Sequence, residues 1–450
     1  MNYGRLIQKQ REYFMSGATL PRAAREDVLR RFGRAISGRR ESIIKALHAD
    51  IGKSEGESLM LEIGPVMDGL RHTLENLGRW MRPATVPSPP PLQPGISRVY
   101  CEPLGVALIM APWNYPFQLC FLPLLTAVSA GNCVLLKPSP ETPRVVEVMR
   151  ECLEAVFPPH YVALAEGGVS EAAALLRLRF DAILYTGSAR VGRIIMRAAA
   201  RHLTPVCLEL GGKSPVLVMK DADLPLAAKR TAWGKILNAG QTCIAPDYVM
   251  ADEKVRDEFT GLLNKFFTEM LGPDPLGNPD YARIISEAAF ERLAAMAPAG
   301  TRTDKAARKM APTAFAADAG HPSMREEIFG PLLPVLSFNK AEDALESIRA
   351  QEKPLAFYVF TEDKAFARRA LSRVSSGGAC VNDVLLHAAS ADMPFGGVGG
   401  SGMGRYHGRR GFEFFSNIKS VLHQSTGVDA LFRYPPFSPE TMAMLRGPGC

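Results

Sequence analysis

The sequence predicts an α/β protein with two doubly wound parallel sheets and a small additional arm. Three observations predict it. Short apolar runs alternate with helical segments from residue 104 to 210, a second alternation fills 211–400, and a proline-rich stretch separates both from a helical N-terminus. Strands that are apolar throughout, rather than at every second residue, are covered on both faces, as happens in parallel sheets with helical crossovers.

Residues 1–81 read as helices, broken at Ser16-Gly17-Ala18-Thr19 and Gly52-Lys53-Ser54, with apolar residues at three-and-four spacing over 59–80. Six prolines in the twelve residues from Pro83 to Pro94 exclude a helix or a central strand and predict an extended connector. The first alternation places strands at 105–110, 133–136, 161–164, 182–185 and 206–210, and helices at 117–129, 142–157, 171–178 and 191–202. The second places strands at 214–219, 248–250 and 334–338, with helices at 222–237, 255–271 and 341–350. The polar segment 298–311 fits neither pattern. Beyond Gly404 the chain turns aromatic and basic, and Arg433-Tyr434-Pro435-Pro436 leads into an expected loose tail. There is no internal repeat.

At 450 residues the chain exceeds one ordinary core, so two or three domains are expected. Hydrophobic content of 47% with 22% charged residues describes a soluble globular protein. No apolar run reaches membrane-span length, and residues 1–16 lack a signal-peptide core. The eight cysteines include no C-x-x-C pair and the eight histidines no H-E-x-x-H, which argues against a disulfide framework or a metal site and for the reducing cytosol. A net charge of +7 raises nucleic acid as a partner. Residues 1–45, however, hold eleven Lys and Arg against four Asp and Glu within a helical pattern. Those arginines form a solvated helix face without the aromatic-basic motif that nucleic-acid binding needs.

One cysteine stands apart. Cys243 lies in Asn238-Ala239-Gly240-Gln241-Thr242-Cys243-Ile244-Ala245-Pro246, where Gly, Gln, Thr and Pro signal a turn able to present a thiol to a ligand. Burial as a small apolar side chain is the competing reading. Of three glycine patterns, 397–402 lacks the strand-to-helix context of a dinucleotide fingerprint, and 211–214 lacks the earlier glycine of a P-loop. The third, Thr186-Gly187-Ser188-Ala189-Arg190-Val191-Gly192, follows a strand and opens a helix, whose free N–H groups suit a pyrophosphate. An ordinary turn capped by Ser188 is the alternative.

Seven motifs in order carry a resemblance: Ala111-Pro112-Trp113-Asn114-Tyr115-Pro116, Leu136-Lys137-Pro138, Thr186-Gly187-Ser188, Glu209-Leu210-Gly211-Gly212-Lys213-Ser214-Pro215, Gly240-Gln241-Thr242-Cys243, Glu326-Glu327-Ile328-Phe329-Gly330-Pro331 and Pro394-Phe395-Gly396-Gly397. Together they resemble the aldehyde dehydrogenase superfamily. The short N-terminus, the 241–248 stretch and Gly402-Met403-Gly404-Arg405-Tyr406-His407-Gly408 are similar to its class 3 branch. The resemblance implies a dinucleotide-binding domain over 1–82 and 104–210, a catalytic domain over 211–404, and a connector, oligomerisation arm and tail over 83–103 and 405–450. It implies NAD(P)-dependent oxidation of a medium-chain aliphatic or aromatic aldehyde to the acid, in a cytoplasmic homodimer.

The implied roles agree with the residue types. Attack on a carbonyl needs a nucleophile, and Cys243 supplies sulfur. Asn114, with the Cys243 N–H, would hold the oxyanion, and Glu209 would activate the deacylating water. A carboxylate among apolar residues at a strand end must be paired or hold a raised pKa. Glu327 and Phe329 match the positions that meet the nicotinamide ribose and ring, Lys137 the adenosine ribose, and Trp113, Thr186, Gly187, Ser188 and Gly192 complete the cofactor set. Taken singly, Asn114 is also a turn residue, Glu209 a salt-bridged strand end, Glu326-Glu327 an acidic helix end and Lys137 a solvated lysine.

Two departures from the family matter. The ribose-binding Glu expected three positions after Lys137 is Pro140, with Glu141 next; either Glu141 substitutes after a local shift or the bias against NADP is lost, and use of both NAD and NADP is expected. The 298–311 stretch is shorter than its class 3 counterparts, where a further strand is expected. Two alternatives stay open. A CoA-acylating relative usually lacks the glutamate at Glu209, and a silent binding or structural relative would not retain Cys243, Asn114, Glu209 and Glu327 together.

Overall fold

The computed structural model describes residues 2–447; Cys450 and the end of the tail lie outside them. The N-terminal helices are α1 (Tyr3–Met15), α2 (Arg22–Ser37), α3 (Arg40–Ile51), α4 (Glu55–Ser58) and α5 (Gly64–Trp80), with a π-helical turn at Leu59–Ile63 between the last two. After β1 (Ala84–Val86) and β2 (Ile96–Pro103), the first α/β unit comprises β3 (Val106–Met110), α6 (Gln118–Ala130), β4 (Cys133–Lys137), α7 (Pro143–Glu154), β5 (Val162–Leu164), α8 (Val169–Leu175), β6 (Ala182–Gly187), α9 (Ala189–Ala200) and β7 (Val206–Leu210). Every strand and helix expected over 104–210 is present.

The second unit runs through β8 (Pro215–Val218), α10 (Leu224–Ile236), β9 (Tyr248–Asp252), α11 (Arg256–Leu271), α12 (Glu287–Ala294), β10 (Thr303–Asp304), β11 (Lys309–Met310) and β12 (Thr313–Ala316). It continues through β13 (Leu332–Phe338), α13 (Ala341–Arg349), β14 (Ala356–Phe360), α14 (Lys364–Arg373) and β15 (Gly378–Val381). The chain then gives β16 (Gly402–Met403), α15 (Gly408–Phe414), β17 (Ser416–His423) and α16 (Pro439–Arg446).

Two six-stranded sheets follow, ordered β16-β7-β6-β3-β4-β5 and β12-β13-β9-β8-β14-β15. The second is parallel throughout; the first is parallel except for β16, which joins β7 antiparallel, Gly402 opposite Glu209. The order reverses direction around β3, the kind of switch point where open sheets bind ligands beyond their carboxyl ends. A separate three-stranded antiparallel sheet, β1-β2-β17, uses the proline-rich connector only at its edge, the one sheet position that tolerates missing donors.

Three strands of the second sheet, β12, β14 and β15, escape the sequence pattern. Ala-Phe-Tyr-Val-Phe in β14 is too short and uniformly apolar to be told from a buried helix segment. Gly-Ala-Cys-Val in β15 carries little strand propensity. The ambiguous 298–311 segment holds the β10–β11 hairpin, and β12 follows it to form the edge of the sheet beside β13. The aromatic residues beyond Gly404 join the fold: Tyr406, Phe412 and Phe415 are buried, and α15 packs on α6 and α5. The tail helix α16 buries none of its residues.

Candidate active site

The Cys243 loop is built against backbone preference. α10 ends at Ile236, and Asn238 and Ala239 then take left-handed conformations with φ of 50° and 52°, costing about 1–2 kcal/mol each for residues with a Cβ. Buried hydrogen bonds hold the turn. The Asn238 N–H donates to Glu57 Oε1 at 2.8 Å, and its Nδ2 donates to the carbonyls of Asn114 (2.9 Å) and Gln241 (3.1 Å). Gln241 fixes the next step, giving Nε2 to Asn238 O and Arg283 O and accepting the Ile285 N–H on Oε1. Gly240 has φ of 73°, and a Cβ there would lie 2.2 Å from Gly330 O. Only glycine allows the cysteine loop to approach the Glu327 loop this closely.

Asn114 and Glu209 reach the same place from the first sheet. Asn114 follows β3, is 3% exposed, and donates Nδ2 to Gln241 O at 3.1 Å, leaving a second amide proton free. Beside it Tyr115 Oη meets Thr242 Oγ1 at 2.6 Å, so the two loops are joined twice within two residues of Cys243. Glu209, near the end of β7, is 1% exposed, and neither carboxylate oxygen has a partner. Burial pushes its pKa from 4.5 to about 8; Arg405 opposes this and Glu327 adds to it. A salt-bridged strand end is thereby excluded.

Cys243 and Glu209 both line one cavity of about 400 Å³, whose walls include Leu119, Leu122, Trp233, Ile244 and Phe395. The thiol is half-buried, and burial together with the charges of Glu209 and Glu327 raises its pKa well above 9.0.

The remaining residues lie along the carboxyl ends of the first sheet. Thr186 and Gly187 end β6, and Ser188 caps α9 by accepting the Val191 N–H at 3.4 Å. Gly192 packs on Leu210, and the buried Thr186 hydroxyl lacks a partner. Lys137 is 5% exposed, its ammonium donating to Pro138 O (2.8 Å) and Gly167 O (2.6 Å), so it is no solvated strand-end lysine. Trp113 and Phe329 meet edge-to-face at 5.6 Å, with Phe329 at φ of 47°. Glu327 lies over Gly211, where a Cβ would come within 2.1 Å of its Oε2, and burial next to Asp247 lifts its pKa to about 8. The donors at the α9 N-terminus, the unpartnered Thr186 hydroxyl and the Glu327 carboxyl suit the phosphates and ribose of a nicotinamide dinucleotide. Pro140 offers no carboxylate there, and Glu141 is exposed in a surface turn.

The structure thus gathers Cys243, Glu209, Asn114, Trp113, Glu327 and Phe329 around the meeting of the two sheets, with Thr186, Gly187, Ser188, Gly192 and Lys137 spread along one of them. Sequence reasoning missed the clamp behind the Glu327 loop. Asp247 Oδ1 accepts the Ile328 N–H at 2.8 Å, while Lys213 pairs with Asp247 and donates to Ser323 O (2.8 Å) and Glu326 O (3.0 Å). It also missed the buried Lys53, Glu57 and Glu62 beneath Asn114; a lysine flanked by Gly and Ser gave only a break signal.

Known proteins resemble the chain over nearly its whole length. The aldehyde dehydrogenase family model matches residues 2–421. The chain is 41% identical to human aldehyde dehydrogenase family 3 member B1, covering 98% of this chain and 96% of that protein. It is 40% identical to the dimeric NADP-preferring aldehyde dehydrogenase of Rattus norvegicus, covering 97% and 98%. A solved structure of Staphylococcus aureus AldH in a substrate-bound state superposes with a TM-score of 0.96 at 36% identity, covering 99% of each chain.

Proposed function

The chain belongs to the aldehyde dehydrogenase family, and from that membership we propose which residues perform its NAD(P)-dependent oxidation of aldehydes to acids. The Cys243 thiol gives its proton to solvent and its sulfur attacks the carbonyl carbon, forming a C–S bond as the C=O π pair moves to oxygen and leaves a tetrahedral oxyanion. The free Asn114 amide proton and the Cys243 N–H donate to that oxygen, each donor contributing on the order of 3 kcal/mol. A nicotinamide held there would accept the hydride lost as this adduct becomes a thioester. Phe329, with Trp113 packed against it, would meet the ring and Glu327 the ribose, while Thr186, Gly187, Ser188, Gly192 and Lys137 would hold the rest of the dinucleotide. Glu209 then takes a proton from water as its oxygen attacks the thioester, the C–S bond breaks, and the acid leaves.

The observation that carries this reading is the Glu209 carboxyl, buried with both oxygens unpartnered in the cavity that holds Cys243. It favours hydrolysis over acyl transfer to CoA, so acid should form at full rate without CoA. The apolar walls favour aliphatic chains of medium length and aromatic rings. Each buried methylene contributes about 0.8 kcal/mol, so hexanal and benzaldehyde should exceed acetaldehyde at least tenfold in kcat/KM by NAD(P)H absorbance. Equal efficiencies across such a panel would contradict the proposed substrate class.

Pro140 removes the carboxylate that would repel a 2′-phosphate, and an NADP-preferring relative agrees with its loss. Catalytic efficiency with NAD should therefore exceed that with NADP by less than about a thousandfold, roughly 4 kcal/mol. A larger preference for NAD would assign Glu141 the missing role. The β1-β2-β17 sheet exposes Ile96, Ile418 and Leu422 along one arm, which supports a homodimer. The seven described cysteines are all free, in keeping with the cytoplasm. Among the described residues no helix is long and apolar enough to cross a membrane.

A further inference from the structure

Three ionisable side chains lie buried beneath the reacting centre, and the chemistry above uses none of them. Lys53, in the link between α3 and α4, is wholly inaccessible, as is Glu62 on the π-helical turn; Glu57 of α4 is 8% exposed. The Lys53 ammonium donates to Glu62 Oε1 at 2.5 Å and to the Asn114 carbonyl at 2.8 Å, and lies 3.8 Å from the centre of the Tyr115 ring. Glu62 Oε2 accepts the Gln118 N–H at 2.9 Å. Glu57 accepts the Asn238 N–H, and Asn238 donates in turn to the same Asn114 carbonyl.

Burying a charged pair does little for stability compared with an apolar pair of equal shape. Geometry at this site offers a stronger reason for it. The backbone oxygen of Asn114 receives two donors, the Lys53 ammonium and the Asn238 amide. With its carbonyl fixed from behind, the Asn114 peptide cannot rotate, and the amide at the other end of the residue is aimed toward Gln241 and the cysteine loop. Tyr115 is gripped the same way, its ring against Lys53 and its hydroxyl on Thr242. The π-helical turn brings Glu62 inward to complete the grip while Leu59, Met60 and Leu61 line the cavity; such turns recur at functional sites.

We propose that Lys53, paired with Glu62, is a positioning residue that sets the Asn114 amide in its oxyanion-binding orientation. The inference rests on the role given above to Asn114. It is tested by comparing Lys53→Met/Glu62→Gln, which removes both charges and leaves an acceptor for Gln118, with Asn114→Ala and with the triple variant. The double variant should unfold cooperatively, bind NAD within twofold of wild type by tryptophan fluorescence, and lose at least tenfold in kcat/KM for the aldehyde. Because Lys53 acts through Asn114, adding its change to Asn114→Ala should cost less than a further threefold.

A loss below tenfold in the double variant, or losses that multiply in the triple one, overturns the proposal while leaving Asn114 its role. An Asn114→Ala enzyme as active as wild type removes both. Should the double variant not fold, Lys53→Met alone carries the same comparison; failure of both to fold assigns the pair to the fold and overturns the proposal.

Discussion

Cys243→Ala should abolish NAD(P)H formation from every aldehyde, lowering kcat by at least about 10⁴-fold while the protein still binds nucleotide. The size follows from what the residue does. Without sulfur no covalent adduct forms, and loss of a nucleophile in enzymes with concerted catalytic groups costs more than loss of any supporting donor. Alanine fits the site, since the thiol is half-buried and free and alanine is the smaller side chain. The loop is held instead by Glu57, Asn238 and Gln241, so thermal unfolding of the variant should match wild type within a few degrees. Stopped-flow absorbance with hexanal and NAD measures the outcome. Residual turnover above about one per cent would show that another group attacks the carbonyl.

The contrast between the two halves of this chain shows what a sequence carries. Strands β3 to β7 are apolar on both faces except near their carboxyl ends because helices cover both faces of their sheet, so pattern alone places them. β12 and β15 lie at the edges of the second sheet, and a strand paired on one side needs less apolar sequence to form. At the site, Cys243 and Glu209 stood out because each contradicts its local context, a thiol in a turn and a carboxyl in an apolar strand. Lys53, Glu57 and Glu62 gave no such signal. Lys53 sits in a break between helices and the two glutamates follow in a helical stretch, and only the fold brings Asn114 and Asn238, distant in the chain, onto them. Groups that hold a site from behind are read from partners, which sequence order does not reveal.

Glu209→Gln should separate the two halves of the reaction. Attack and oxidation need only sulfur, amide donors and nucleotide, so the variant should release a burst of NAD(P)H close to one equivalent per site. Hydrolysis needs a base, and steady-state turnover should then fall about 10²–10⁴-fold. The pH dependence follows from the same burial. The Glu209 carboxyl is held protonated up to about pH 8, and a base must be deprotonated, so wild-type turnover should rise with pH through that region while the glutamine variant stays flat. Stability should move the opposite way. The folded protein keeps a proton that the unfolded chain gives up near 4.5, so stability is lost as pH climbs from there to about 8. At full ionisation the burial costs up to about 5 kcal/mol, which glutamine does not incur. The variant's melting temperature should therefore exceed that of wild type at pH 8.5 and converge with it below pH 5. A variant that turns over normally, or melts lower than wild type at pH 8.5, would mean that Glu209 is neither the base nor a carboxyl kept unpaired for that purpose.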